Sequence, residues 1–226
     1  MLPFFIFNGI DSSDYLIVKK LPSIFKAEKN IKKIEIEGRD GFLTEDFGTY
    51  KSIPKSVECT IKDTIDIDFL CSWLDGSGEV VFSNEPNKKY KATIINQIEF
   101  KKIFTTFHSF IIQFDCQPHK YAFDNNLISL ASPGTIYNPY TANSKPILKV
   151  YGNGSITLNI NSNNIYLTNV IDYVIIDSEL VDCYRDTVLK NNDMDGEFPE
   201  FLPGSNAVSW TGTVTKVEIT PNWRWN

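Results

Sequence analysis

In several short runs of this chain every second residue is apolar, and that period of two is the signature of an extended strand with one face on a core. Val57, Cys59 and Ile61 alternate with Glu58, Thr60 and Lys62. Phe110, Ile112, Phe114 and Cys116 face one way, with Gln113 and Asp115 opposite, which predicts a strand over 108–116. Ile34 and Ile36, set between Lys33, Glu35 and Glu37, predict a strand over 31–37 with one wet face, and the glycines of GRDG at 38–41 supply a turn after it. Glu79 to Ser83, the turn NEPNKK and Tyr90 to Phe100 read as a hairpin, with Tyr90, Ala92, Ile94, Ile98 and Phe100 on one face. The period changes once: Ile67, Leu70, Cys71 and Leu74 make a helical stripe between a capping Asp66 and Gly76.

Residues Asn125 to Lys145 are rich in Asn, Ser, Thr, Gly and Pro and carry no sustained apolar period, which marks a domain boundary. Beyond it, strands are expected at 147–151, 155–160, 165–170, 173–177, 208–210 and 214–219, separated by polar turns such as YGNGS. Short strands at close spacing without helices argue a β-sandwich. The fold class expected is mainly β, a β-rich α+β chain. A first domain spans 1–125, a linker 126–145 and a sandwich 146–226. An aromatic content of 13% agrees, because aromatic rings suit pleated, half-buried surfaces.

Chemistry is hard to place on this sequence. Lys and Arg number 22 against 28 Asp and Glu, with no dense basic run, so nucleic acid is not an expected partner. No stretch reaches the roughly 20 apolar residues that span a bilayer, and no basic region precedes the apolar start, so neither a membrane nor a secretory route is expected. The expectation is synthesis in a cytoplasm. Cys59, Cys71, Cys116 and Cys183 lack chelating spacing and read as buried free thiols.

NNDMDG places Asn191, Asp193, Asp195 and Gly196 like the start of a calcium loop, but Leu202 stands where a bidentate Glu belongs. Gly152 and Gly154 lack the third glycine of a dinucleotide fingerprint and read as a β-turn. His108 shares a strand face with Phe110, and His119 has no specific context. Asp172, Asp177, Glu179 and Asp182 read as solvated strand-end charges. Trp223, Arg224 and Trp225 could stack on a sugar, but read better as a last strand alternating between core and surface. No catalytic, cofactor-binding or metal-ligating residue is assigned, and no cofactor or enzyme activity is expected.

The order of these segments resembles the distal tail protein (Dit) family of siphophages. FFIFNGIDSSDY near the start, GRDG at 38–41, CSWLDGSGEVVFSNEPNKKYKATI at 71–94 and FIIQFDCQPHKY at 110–121 look like the first domain of that family. PILKVYGNGSITLNIN, VIIDSE, GEFPEFLPGSNAVSW and VEITPNWRW look like its galectin-like sandwich. The resemblance implies an N-terminal belt domain that closes a hexameric ring, single or stacked, at the virion tail tip. That ring would join the tail-tube protein to the tail-associated hub protein, with the C-terminal domains as outward anchors for receptor-binding proteins. The rival readings are a carbohydrate-binding module and a cell-wall hydrolase accessory of a phage tail.

Overall fold

The computed structural model describes residues 2–62, 65–103, 106–107 and 109–226, with the backbone alone at 102, 103, 106 and 107. His108 lies outside the described residues. The chain folds as two units that divide at Lys120 and Tyr121.

The first unit holds strands β1 (Phe5–Phe7), β2 (Ile10–Asp11), β3 (Leu16–Lys20), β4 (Lys29–Glu35), β5 (Phe42–Tyr50) and β6 (Ile53–Ile61), then helix α1 (Ile67–Trp73). After the helix come β7 (Ser77–Phe82), β8 (Lys88–Ile94), β9 (Lys102–Ile103), β10 (Thr106–Phe107) and β11 (Phe110–Cys116). Seven of these form one antiparallel sheet in the order β2-β1-β7-β8-β11-β6-β3. The alternation read in the sequence sets the register. Val57 lies opposite Ile112 and Cys59 opposite Phe110, so one side of the sheet is apolar and buried. Phe114 meets Phe5, Phe7 and Phe82 edge-on at 5.6 to 5.7 Å between ring centres.

Helix α1 closes that core. Asp66 accepts a hydrogen bond from the Asp68 amide at 3.0 Å, and Gly76 takes φ +76°, so the expected start and stop are both present. The buried stripe is Leu70, Trp73 and Leu74, while Cys71, expected in the core, is exposed. Trp73 explains the difference: its ring stacks on Phe5 and its Nε1 donates to the Phe7 carbonyl at 3.0 Å, which turns that side of the helix inward. The strand expected to run to Phe100 stops at Ile94. Asn96 ends it, because its side chain takes over the ladder bonds of β11, donating to the Ile111 carbonyl and accepting from the Gln113 amide.

In the second unit the four strands expected at 147–151, 155–160, 208–210 and 214–219 are two long ones. Ile147–Ile160 and Gly204–Thr220 pair antiparallel along their lengths, with register shifts at Tyr151/Gly152 and Asn153/Thr157. Gly152 and Gly154 therefore form no reversing turn; they sit at the bulges where a continuous strand bends. The two halves of each strand then line one core, Leu148, Val150, Val217 and Ile219 from one side of the bend and Ile156, Leu158, Ile160 and Val208 from the other. Tyr173–Asp177 and Asn163–Val170 flank the two halves, so the sheet folds on itself into two layers.

The segment 126–145 is part of this unit and not a free linker. Ile128–Leu130 pairs with 217–219 and Gly134–Asn138 with 204–208, burying Ile136 and Asn138. Its turn-rich composition describes the loops between these strands.

The bend has a steric requirement. A Cβ on Gly152 would lie 2.2 Å from the Thr213 carbonyl oxygen, whereas one on Gly154 would meet nothing within 4 Å. Gly152→Ala is expected to cost the second unit about 3 kcal/mol by forcing the paired backbones apart. Gly154→Ala, at φ +81°, should cost about 1 kcal/mol. Urea unfolding of the two variants checks the ordering, and equal midpoints would refute it.

Candidate assembly surface

Strands β4 and β5 form a two-stranded ribbon that pairs with no other described strand. GRDG makes the reversal, with Gly38 and Gly41 at φ +78° and +81°. The pairing sets Ile34 opposite Leu43 and Lys32 opposite Glu45. Alternation then places Lys32, Ile34, Leu43, Glu45 and Phe47 on one face and Ile31, Lys33, Glu35, Phe42, Thr44 and Asp46 on the other. The expected strand at 31–37 was to have one wet face. Both faces are wet instead: Ile31, Ile34, Ile36, Phe42, Leu43 and Phe47 are all exposed, Phe47 at 50%.

The base of the ribbon is pinned by ion pairs, Lys29 to Asp46 at 2.6 Å and Lys51 to Glu28 at 2.8 Å. The Lys29 ammonium, with help from the Gly48 amide, holds the Asp46 carboxyl below its usual range. Toward the tip the Lys33 ammonium lies over the Phe42 ring, 4.6 Å from its centre. An isolated two-stranded ribbon is marginal in water, and exposed apolar patches mark interaction sites.

A groove of about 300 Å³ lies elsewhere on the same unit, lined among others by Leu21, Pro22, Phe25, Ile111, Lys20 and Glu58. Its wall, the segment after β3, is fixed from beneath. The buried Lys55 donates to the Ser23 carbonyl at 3.1 Å and Asn84 to the Pro22 carbonyl at 3.0 Å. Lys55 packs against the rings of Tyr90 and Phe82, at 4.7 and 5.5 Å. Burial lowers its pKa, an effect the Glu85 charge opposes.

Glu85 is itself buried. Burial alone would raise its pKa, but hydrogen bonds from the Tyr90 hydroxyl at 2.5 Å, Lys120 at 2.9 Å and Lys88 at 3.1 Å bring it below the ordinary value. The arrangement is a structural clamp under the groove wall.

The residues weighed in the sequence for chemistry are committed to local structure. Asn191 accepts from the Cys183 amide at 2.5 Å and donates to Asp182, and Asp193 is held by Asn169 and Lys190. The loop's side chains thus cap neighbouring backbone and strands. Asp177 accepts from the amides of Glu179 and Leu180, Glu179 accepts from the Tyr121 hydroxyl, and Asp172 pairs with Arg185. His119 meets the Tyr50 ring edge-on at 5.9 Å.

Trp223 is buried against Phe201 and Tyr140, Trp225 packs edge-on to Tyr140 at 4.3 Å, and Arg224 donates to the Asn143 carbonyl. The rings pack inward, but the expected alternation is absent: Trp223 and Arg224 are consecutive buried residues, and the strand comprises Arg224–Trp225 alone. Among the cysteines, burial pushes the thiols of Cys59 and Cys116 up to about 12, which makes them inert as nucleophiles at neutral pH. What the sequence reading missed is the ribbon's isolation and the groove. Six apolar residues among the nine charged ones of 29–47 were the available signal.

Residues 8–116, which hold the ribbon and most of the first sheet, match the family described as the phage tail protein RIFT-related domain. No curated protein matches the sequence. The whole chain is similar in fold to SPP1 Dit (gp 19.1), at a TM-score of 0.74 and 14% identity, with 100% of both chains covered. That protein is described as a paradigm of the hub adsorption apparatus in phages infecting Gram-positive bacteria. The mainly β architecture and the resemblance to siphophage distal tail proteins read in the sequence are both borne out.

Proposed function

We propose that this protein is a non-enzymatic structural component of a phage tail hub, and that copies of it close head to tail into a ring at the tail tip. The first unit makes the closure and presents the ring to the tail tube above and the tail-associated hub protein below. The second unit serves as an outward platform for receptor-binding proteins. The observation that carries this reading is the ribbon of β4 and β5, which exposes apolar side chains on both faces and has no described strand beside it. A chain that exists alone gains nothing from such a surface, whereas a rotationally closed assembly covers it once per copy. The count of six follows from the resemblance to the distal tail proteins.

Light scattering at the highest soluble concentration, with negative-stain images of the same sample, tests the reading. The expected species has about six times the 25.8 kDa chain mass, or twice that for stacked rings, with a central channel. Leu43→Lys, on the exposed ribbon, should reduce it to single chains with an unchanged circular dichroism spectrum. A wild-type chain that stays monomeric under these conditions, or a variant that assembles as before, rejects the proposal.

A further inference from the structure

We infer that the ribbon face carrying Ile34, Leu43 and Phe47 seats in the groove between the Leu21–Phe25 segment and Ile111 of the next copy. This deepens the ring reading and rests on it. A head-to-tail contact needs two different surfaces on each chain, one donating and one receiving. The first unit shows one of each: a projecting apolar ribbon, and a concave apolar groove whose Phe25 and Ile111 are exposed at 48% and 50%. The ribbon does not occupy its own groove, because the side chains of both are exposed within one chain.

Charge pattern selects this face of the ribbon over the other. Lys32 and Glu45 stand opposite each other across β4 and β5, at one end of the apolar pair Ile34 and Leu43. In the groove Lys20 and Glu58 stand opposite each other across β3 and β6, and Glu58 is also the register partner of Ile111. Each surface thus offers one cross-strand Lys and Glu beside apolar residues. Laid face to face, Lys32 can meet Glu58 while Glu45 meets Lys20, leaving Leu43 and Phe47 to fill the apolar space. The opposite face lacks this match: its cross-strand pairs are Ile31 with Asp46, Lys33 with Thr44 and Glu35 with Phe42, so no lysine stands opposite an acid, and Asp46 is already paired with Lys29. The receiving surface is also pre-set, because Lys55 and Asn84 hold the carbonyls of Ser23 and Pro22 and so fix the groove wall before any partner arrives.

The test uses the full chain and two variants, Leu43→Lys on the ribbon and Ile111→Lys in the groove. The second substitution places a lysine opposite Glu58, so the sheet itself should tolerate it. Each variant alone should associate at least tenfold more weakly than wild type. An equimolar mixture should form a species of two chains and nothing larger, because one intact ribbon and one intact groove remain between them. In addition, Leu43→benzoylphenylalanine, irradiated in the assembled protein, should cross-link between chains to residues 20–25, 54–58 or 111. Cross-links that map elsewhere, or an Ile111→Lys chain that assembles like wild type while Leu43→Lys does not, overturn the groove assignment and leave the ring reading standing. A mixture that stays monomeric also overturns the assignment. Wild-type chains that never associate overturn both.

Discussion

Glu85→Gln is expected to remove about 4 kcal/mol from the stability of the first unit, because it leaves the Lys120 ammonium buried without a counter-charge. Lys120 and Glu85 keep only 8% and 4% of their side-chain surface, so solvent cannot take over the pairing. Hydrogen exchange resolved to residues 1–120 should show the loss, while the second unit keeps its protection. A change below about 1 kcal/mol would mean that water reaches the site and the pair is as weak as a surface one.

The same carboxylate sets a pH dependence. Its folded pKa is below the ordinary 4.5, so its stabilisation is present above that value and is lost as pH falls through the folded pKa. Wild type and Glu85→Gln should converge in acid. Lys55 acts in the opposite range: its folded pKa is lowered from 10.5, so the cost of burying its charge is present below the folded pKa and is relieved as pH rises through it.

Phe114→Ala should cost the same unit about 4 kcal/mol. The ring is fully buried and touches Phe5, Phe7 and Phe82, which come from β1 and β7, so no single neighbour can collapse into the space it leaves. Phe114→Leu, which fills most of that volume, should lose markedly less. Urea unfolding of the three proteins provides the comparison, and an alanine variant as stable as the leucine one would show that the aromatic cluster repacks freely.

The legible part of the sequence was the part governed by local periodicity. Strand β6, strand β11 and the β7–β8 hairpin carry their period of two in neighbouring residues, and α1 carries Asp66 and Gly76 as its own start and stop. Misreadings occurred where a local signal had two physical outcomes. Glycine at 152 permits a turn or a bulge, and only the approach of the Thr213 carbonyl from a strand some sixty residues away decides for the bulge. Asn96 reads as one polar residue in an apolar run, until β11 lies beside it and offers it the Ile111 and Gln113 backbone to bond.

The candidate surface divides the same way. By itself the sequence determined that a strand lies within 31–37, observed as Lys29–Glu35, that GRDG turns the chain after it, and that the segment is apolar and charged by turns. It could not say that both faces stay open. Alternation fixes which side chains share a face, but burial depends on what lies against that face, and partners for a sheet come from distant parts of the chain or from another chain. Tertiary structure decided that no other described strand of the first unit pairs with the ribbon. It also brought Lys20 and Phe25, Glu58, and Ile111 from three separate segments to one groove, a juxtaposition that arises only when β3, β6 and β11 pair in register.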